Sequence, residues 1–354
     1  MIHTDDVDAV GETDETLDVI FKAINEVWRL KACDADYMLG VSRIIQRDDL
    51  GNVKSLELTM KPYIEGMAKA FEEHLPAGVI NEPYPVKVTL SKEDADELEA
   101  KEVLDMGYQR AVGMIMWAIR HIFIEGKFGV SQICMVMSKP SRKAFRAAMH
   151  MIKYMALRSN RGIKFTADGN NIPFGMFGAS DKSPADDALC HGGFCIFWMG
   201  GPIMSWSKRL RHVGHSSEHN EYMAMAAAIK AIIWMRQLID DMGLGDVIKM
   251  PTILFGDNVC ANNLSREHFV STGNQYIYRP YHFNREATKL GLIDVKWVKT
   301  DYNLADIFTK ALPGQKLNHA EHGMLKYLLG YADVTDFRTM LETLLDQDAM
   351  KMMK

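Results

Sequence analysis

Hydrophobic and polar positions in the second half of the chain follow two different periods. Short apolar runs with strand character are GIKFTAD, FCIFW, PIMSW, TILFGD and LIDVKWV. Between and after them, EHNEYMAMAAAIKAIIWMRQL and NLADIFTKAL have helical spacing. Gly200-Gly201 separates two of the strand-like runs and predicts a two-residue hairpin. From Gly162 onward the pattern therefore predicts an α/β domain in which strands and helices alternate.

The first half of the chain predicts a smaller α+β part followed by helices. Asp5-Asp6 stands between short apolar runs, as at the tip of a β-hairpin, and Thr13 opens a helix. Residues 37–71 read as strand, turn, strand and helix. The proline-rich segment 75–88 has no helical period and predicts a linker, and the acidic stretch after it predicts a solvated helix. Residues 111–137 are apolar nearly all round, which predicts a buried helix pair.

A basic helix is predicted directly before the α/β domain. Between Lys139 and Lys164 there are eight Lys or Arg residues and no acid. The apolar stripe of this helix is formed by Phe145, Ala148, Ile152 and Met155. The cations that we predict to contact a nucleic-acid backbone lie largely off that stripe: Arg142, Lys143, Arg146, Lys153 and Arg158. The alternative is a solvated helix face without a ligand.

Composition indicates an ordinary globular protein. Apolar residues make up 47% and charged residues 25% of 354 residues, which argues against a disordered chain. No uncharged apolar run reaches 18 residues and the N-terminus has no basic segment, so we expect no membrane partner and no secretion. The expected location is intracellular, cytoplasmic or nuclear. A net charge of -5 hides local asymmetry and does not exclude a nucleic-acid partner.

The cysteines predict reduced thiols. There are five of them, an odd number, and none of them forms a CxxC pair. Zinc binding is therefore not expected, and neither is a disulfide framework.

Four carboxylates carry the candidate chemistry. Asp168 and Asp257 end strand-like runs, while Glu221 and Asp306 lie on predicted helices. Acids at such positions are able to converge on divalent metal ions, because hard cations prefer carboxylate oxygens and because four clustered acids repel one another without a cation. For each acid alone, a helix cap or a solvated turn is the simpler interpretation.

Several motifs together resemble the ribonuclease H domain of copia-type retrotransposon Pol polyproteins. They are GGPIMSWSKR, SSEHNEYMAM, TILFGDNVCAN, RPYHFNRE and VKWVKTDYNLADIFTKALPG. Upstream, YQRAVGMIMWAIRHIF and MVMSKPSRKAFRAAMHMIKYM look like the segment that joins reverse transcriptase to that domain, and YMLGVSRII with YIEGMAKAF resembles the end of the polymerase palm. The resemblance covers nearly the whole chain in the family's own order.

The resemblance implies a ribonuclease H-like mixed five-stranded sheet with flanking helices, preceded by a truncated α+β palm remnant and a helical connection. The implied parts are the palm end (1–88), the thumb or connection (89–160), the ribonuclease H-like domain (161–315) and C-terminal helices (316–354). It implies two Mg²⁺ or Mn²⁺ ions and hydrolysis of RNA in RNA–DNA hybrids. The implied catalytic and metal-binding acids are Asp168, Glu221, Asp257 and Asp306, with Glu221 preferred over Glu218 because EYMAM matches the family motif.

The same resemblance places Asp5 and Asp6 on the paired-aspartate hairpin of the polymerase. A polymerase site needs a third aspartate from an earlier strand, and this chain starts at Met1. We therefore expect an orphaned half-site and no DNA synthesis by this chain alone. Whether a separate palm fragment or a second copy completes it is left open.

An enzyme that cleaves RNA in a hybrid also has to bind both strands of the hybrid. Lys208, Arg209 and Arg211, beside Trp206, are predicted to contact phosphates of the DNA strand, with a charged, solvated hairpin edge as the alternative. Two other functions stay open: a decayed or co-opted remnant that binds nucleic acid without turnover, and a protein-interaction scaffold.

Overall fold

The structure is a computed structural model of the whole chain. It describes residues 2–3, 6–7, 13–29, 31, 36–167, 173–179, 189–211, 216–266, 278–314, 324–331 and 334–352.

Eleven strands and eleven α-helices are described within these ranges, besides short 3₁₀ helices. The strands are β1 Ile2–His3, β2 Asp6–Val7, β3 Tyr37–Met38, β4 Val41–Arg47, β5 Val53–Thr59, β6 Gly162–Thr166, β7 Phe174–Ala179, β8 His191–Trp198, β9 Gly201–Arg209, β10 Thr252–Gly256 and β11 Ile293–Trp297. The helices are α1 Asp14–Asn25, α2 Lys61–Ala70, α3 Glu97–Asp105, α4 Tyr108–His121, α5 Lys127–Met135, α6 Arg142–Ala156, α7 Ser217–Asp241, α8 Val259–Arg266, α9 Tyr278–Lys289, α10 Met324–Leu328 and α11 Val334–Met352.

The predicted mixed five-stranded sheet is confirmed. Its strand order is β11-β10-β7-β8-β9. β7, β8 and β9 are antiparallel neighbours, whereas β10 runs parallel to both β7 and β11. The β8–β9 turn is formed by Met199 and Gly200, both with positive φ, as a tight hairpin with right-handed strand twist requires. The turn therefore lies one residue earlier than the predicted glycine pair.

Helices cover both faces of this sheet because its strands alternate between two cores. Phe177, Ile196 and Leu254 point into one buried cluster with α7. Met176, Phe197 and Phe255 point into the other, with the segment around Phe308 and with Leu344 of α11. Of the described helices, α7 is long and apolar enough to cross a membrane by composition, yet half of its most apolar window is buried inside the protein.

The strand β6 belongs to a second sheet, which corrects the sequence interpretation. A four-stranded sheet has the order β3-β4-β5-β6, and β6 pairs antiparallel with β5 along its whole length, from Ser55–Thr166 to Thr59–Gly162. The predicted ribonuclease H-like domain began at residue 161 with this strand. Its backbone is instead the last strand of the preceding sheet, although Lys164 N also donates to Leu329 O at 2.8 Å.

Part of the basic stretch pairs with the acidic stretch, which weakens the premise for a phosphate-binding helix α6. Arg142 contacts Glu102 at 2.5 Å, and Lys143 lies 3.5 Å from Asp94. Lys139 is 3.2 Å from Glu97. Three of the eight cations thus pair with acids 40 to 49 residues earlier in the chain, which the count over residues 139–164 left out.

The other cations predicted to contact nucleic acid, on α6 and directly after it, differ in their surroundings. Arg158 donates to Ile80 O at 2.8 Å and stacks 4.2 Å over the ring of Tyr154. Arg146 and Lys153 have no ion pair within the described part of the chain. The charge count on which the predicted nucleic-acid contact of this helix rested is therefore smaller than the sequence suggested. The apolar stripe through Phe145 and Ile152 is buried as predicted.

The proline-rich segment 75–88 is irregular but is not a loose linker. Tyr84 is 2% exposed and Ile80 is 8% exposed, and both belong to the core of the helical region. The Tyr84 ring meets Phe128 edge-on with centroids 5.9 Å apart. The side chains of this segment therefore fix it against α5 and α6, whereas its missing helical period predicted a linker.

The helical connection contacts the five-stranded sheet through α5. Lys127 Nζ donates to Ser205 O of β9 at 2.5 Å. The ring of Phe128 lies 5.1 Å from that of His191, the first residue of β8. Burial at this contact lowers the pKa of Lys127 to about 8.

Protonation of His191 is expected to lower the free energy of unfolding. His191 is 1% exposed, and burial lowers its pKa from 6.5 to about 4. Between these values the unfolded chain binds the proton and the folded chain does not, so stability falls as pH drops from about 6.5 to about 4. Denaturant titrations of wild type and His191→Gln at both pH values check this. The variant should lose part of the pH dependence, and an unchanged slope would contradict the expectation.

Candidate active site

The carboxyl end of β10 places Asp257 at one edge of the five-stranded sheet. Leu254, Phe255 and Gly256 are buried, and Asp257 is the first half-exposed residue after them. The strand end is fixed on two sides: Asn262 Nδ2 donates to Gly256 O at 2.8 Å, and Trp297 Nε1 donates to Asp257 O at 3.0 Å. In sheets with parallel strands this edge is where sites usually lie.

The Asn303 side chain links three segments of the chain that meet at this edge. Its side chain is fully buried, and its Nδ2 donates to Phe177 O of β7 at 2.9 Å and to Asp257 Oδ1 at 3.2 Å. Its Oδ1 accepts from Ala305 N at 3.1 Å, which caps the following turn. One side chain therefore positions the end of the central strand, the Asp257 carboxylate and the segment that carries Asp306.

Asp306 lies in a short 3₁₀ helix, Leu304–Phe308, where a longer helix was expected. It is 3% exposed, and Lys310 Nζ lies 2.8 Å from its Oδ2. The 3₁₀ helix passes close to the end of β7, since a Cβ added to Gly178 would stand 3.3 Å from Asn303 Nδ2 and 3.9 Å from the Ala305 Cβ. This close approach explains why a residue without a side chain occurs at that point of β7.

Glu221 is buried in the second turn of α7. It is 6% exposed, whereas Glu218 is half-exposed. Ser216 caps the start of the helix, since its Oγ accepts from His219 N at 3.2 Å. Asn220 Nδ2 donates to Cys190 Sγ at 2.9 Å, which fixes this turn beside the start of β8. Because the start of β8 pairs with the end of β7, Glu221 belongs to the same edge as Asp257.

The prediction that Asp168 joins the other three acids does not agree with the strand order of the five-stranded sheet. Asp168 itself lies outside the described residues, but the strand that leads to it, β6, is in the four-stranded sheet. The central strand of the five-stranded sheet is β7, which carries no acid. The next acid along the chain after β7 is Asp181, also outside the described residues. The strand pattern GIKFTAD was right in type and was assigned to the wrong sheet.

The acids at this edge have the right donor chemistry for a divalent ion. The described residues, however, supply too few ligands to hold one. Asp257 and Asp306 offer carboxylate oxygens, the donors that Mg²⁺ prefers. Within the described residues, however, no group of three or more His, Cys, Asp or Glu side chains is arranged to hold a metal ion. The described acids alone therefore do not make a complete site, and a further carboxylate is required.

The paired aspartates near the N-terminus lie where the sequence predicted a hairpin. β1 and β2 pair antiparallel, with Ile2 opposite Val7 and His3 opposite Asp6. Asp6 is the first residue of β2, and Asp5 lies outside the described residues. The hairpin is confirmed, and the polymerase half-site stays a prediction.

Lys208, Arg209 and Arg211 lie at the end of β9. β9 runs in the same direction as β7, so this end belongs to the edge that holds Asp257. Lys208 and Arg211 are exposed, and Arg209 Nη1 reaches Met135 Sδ at 3.4 Å. The predicted phosphate-contacting residues and the acids therefore share one edge.

Sequence reasoning missed Asn303. An asparagine among polar residues reads as a turn or a cap, and it is a cap here. Its second role, between Phe177 and Asp257, depends on strand pairing that the local sequence does not contain. The four cysteines that the structure describes, Cys134, Cys190, Cys195 and Cys260, are free thiols as predicted.

Comparisons with known proteins confirm the resemblance to retrotransposon Pol polyproteins. The retrovirus-related Pol polyprotein from transposon RE1 of Arabidopsis thaliana is 27% identical over 186 residues, which cover 52% of this chain and 12% of that protein. The one from transposon TNT 1-94 of Nicotiana tabacum is 23% identical over 320 residues, or 89% of this chain and 23% of that protein. The chain thus spans less than a quarter of these curated relatives. No protein-family model matches it.

A ribonuclease is among the solved structures that are similar to this chain. It is the RNase H1 of the halophilic archaeon Halobacterium salinarum, with a TM-score of 0.29 and 17% identity, covering 42% of this chain and 98% of that one. The assignment of the fold rests on the order and directions of the five strands described above.

Proposed function

We propose that this chain, similar to the C-terminal part of retrotransposon Pol polyproteins, is a metal-dependent ribonuclease H that cleaves RNA in RNA–DNA hybrids. The observation that carries the proposal is the contact of Asn303 with both Asp257 and the end of β7. This contact holds Asp257 and the segment that carries Asp306 at the end of the central strand β7, at the same edge as Glu221.

The residues of the chain would divide the work as follows. Asp257, Asp306 and Glu221 would supply carboxylates to Mg²⁺ or Mn²⁺, and the bound ions would activate water and stabilise charge on the leaving oxygen. Asn303 would keep Asp257 in position through its hydrogen bond. Lys208, Arg209 and Arg211, at the same edge, would contact the DNA strand of the hybrid.

The missing carboxylate is the sharpest test of the site. Asp181 stands two residues after the end of β7, whereas Asp168 follows a strand of the other sheet. We therefore expect Asp181→Asn to abolish cleavage of a labelled RNA–DNA hybrid in the presence of Mg²⁺. Asp168→Asn, with the same charge change, should retain most of the activity.

The assay includes a chelator control and a single-stranded RNA control. Hydrolysis of the hybrid that stops with chelator and resumes with Mg²⁺ supports the proposed function. Absence of cleavage in a folded wild-type protein would refute it. Full activity of Asp181→Asn with loss in Asp168→Asn would restore the original assignment of the fourth acid.

A second function is favoured by the absence of an acid on β7. A remnant that has lost one catalytic carboxylate would bind nucleic acid without turnover. Such a protein would show salt-dependent binding of a hybrid, no cleavage and no rise of its melting temperature with Mg²⁺. A protein-interaction scaffold, the third alternative, predicts no nucleic-acid affinity at low salt.

A further inference from the structure

A groove of about 460 Å³ lies beside the acid-bearing edge, between the end of β9 and the helices α7 and α9. Its polar and aromatic lining comes from three separated parts of the chain: Trp206, Lys208, Arg209, Arg211, Lys230 and Phe283. Of these residues, only Lys208, Arg209 and Arg211 were predicted from the sequence to contact phosphates. The groove exists because α7 runs past the end of β9 and brings Lys230 and α9 next to it.

The charge of the groove is uniformly positive. Among the described residues that line the groove, four are cations and none is an acid. Lys208, Arg211 and Lys230 are exposed, so their charged groups face water at the mouth of the groove. This differs from α6, where cations face acids of α3. A polyanion is therefore the ligand that the charge of the groove favours.

Two aromatic rings stand among these cations. Trp206 is stacked on Phe194, with centroids 5.6 Å apart and planes 18° apart, which fixes its orientation. Phe283 is half-buried, and Lys230 Nζ lies 5.7 Å from its ring centroid. Rings held beside cations are the arrangement that proteins use for unpaired bases, because every base has a face that stacks and every linkage has a phosphate.

The groove extends away from the candidate active site. Lys208 and Arg211 lie at the edge, while Lys230 is nine residues beyond Glu221 on α7, or about 13 Å along the helix axis. A strand that follows the cations would therefore run from the acids along α7. The groove volume of about 460 Å³ lies in the range of pockets that bind one small-molecule-sized group.

We propose that this groove binds a single-stranded segment of nucleic acid, with phosphates at Lys208, Arg211 and Lys230 and a base against Trp206 or Phe283. An intact duplex does not satisfy both parts of the groove, because its bases are stacked on one another and their faces are closed. The inference goes beyond the proposed function and does not rest on hydrolysis. A chain without a complete metal site would still bind through this groove.

Fluorescence anisotropy with a short labelled oligothymidylate in the presence of a chelator tests the groove. Lys208→Gln/Lys230→Gln removes two cations that lie in different elements. If each contacts one phosphate, the slope of log affinity against log salt concentration falls by about 1.4, and affinity at about 0.1 M salt falls roughly 25-fold. The matched control is Lys69→Gln/Lys101→Gln, which removes two exposed lysines from α2 and α3 and should bind like wild type.

An abasic strand of the same length tests the aromatic rings. Wild type should bind the intact strand at least about fivefold more tightly, because stacking contributes about 1 to 3 kcal/mol per base. Equal affinity for both strands would overturn the stacking role, and an equal loss in both double variants would overturn the groove as the site. Because no metal is present, failure here is distinct from failure of hybrid cleavage.

Discussion

The Asp257→Asn variant is expected to lose at least about 100-fold in the rate of hybrid cleavage, with little change in stability. The amide keeps an oxygen that can accept the hydrogen bond of Asn303 Nδ2, so the edge of the sheet should stay in place. The negative charge is lost, however, and metal-assisted hydrolysis depends on several kcal/mol of charge stabilisation at the bound ion. Single-turnover cleavage of a labelled hybrid and a thermal melt measure the two properties separately.

Asp241→Asn is the matched control for this variant. Asp241 is exposed at the far end of α7, so its replacement makes the same charge change away from the edge. It should cleave at the wild-type rate. If Asp257→Asn and Asp241→Asn cleaved equally well, Asp257 would have no catalytic part, and the proposed site would be wrong even if hybrid cleavage were observed.

Replacing Glu125 is expected to have the largest effect on stability. Its side chain is fully buried, where it forms an ion pair with Arg161 and accepts a hydrogen bond from Tyr154 OH at 3.0 Å. Burial lowers the pKa of Arg161 only to about 10, so its guanidinium stays charged at neutral pH. Glu125→Ala leaves that charge buried and unpaired, which costs about 3–5 kcal/mol. A fall in melting temperature on the order of 10 °C follows.

Two controls distinguish the buried pair from charge loss in general. Glu125→Met/Arg161→Met removes both charges and should be less destabilised than Glu125→Ala, because no unpaired charge remains. Lys61→Ala removes one partner of an exposed pair with Glu65 at 3.9 Å and should cost less than about 1 kcal/mol. A Glu125→Ala protein that melts within a degree or two of wild type would contradict the prediction.

The ion pair matters because of its place in the chain. Glu125 lies in the break between α4 and α5, and Arg161 directly precedes β6. The pair therefore fixes the helical connection to the strand that joins the four-stranded sheet. Lys127 and Phe128, two and three residues further on, contact β9 and His191 of the other sheet. Loss of Glu125 is thus expected to loosen the contact between the two sheets as well.

The sequence by itself determined the elements with strong local signals. The turn around Asp48 was evident, because an aspartate in DDLGN is able to accept from the backbone that follows, as Asp48 Oδ1 does from Leu50 N at 2.9 Å. The buried stripe of α6 was evident from its helical period, and the α4–α5 helix pair was evident from a run that is apolar nearly all round. Asp257 was placed correctly at the end of a buried strand, since apolar runs that end on an acid are a local feature.

The tertiary structure alone decided which elements are neighbours. The pattern GIKFTAD specifies a strand but not its partner, and β6 pairs with β5, more than 100 residues earlier. Lys139, Arg142 and Lys143 pair with acids 40 to 49 residues earlier because the fold brings them together, which a count along the chain does not contain. Asn303 and the groove around Lys230 follow from the same rule. Periodicity is a property of adjacent residues, whereas pairing, neutralisation and site assembly depend on residues that meet only when the chain folds.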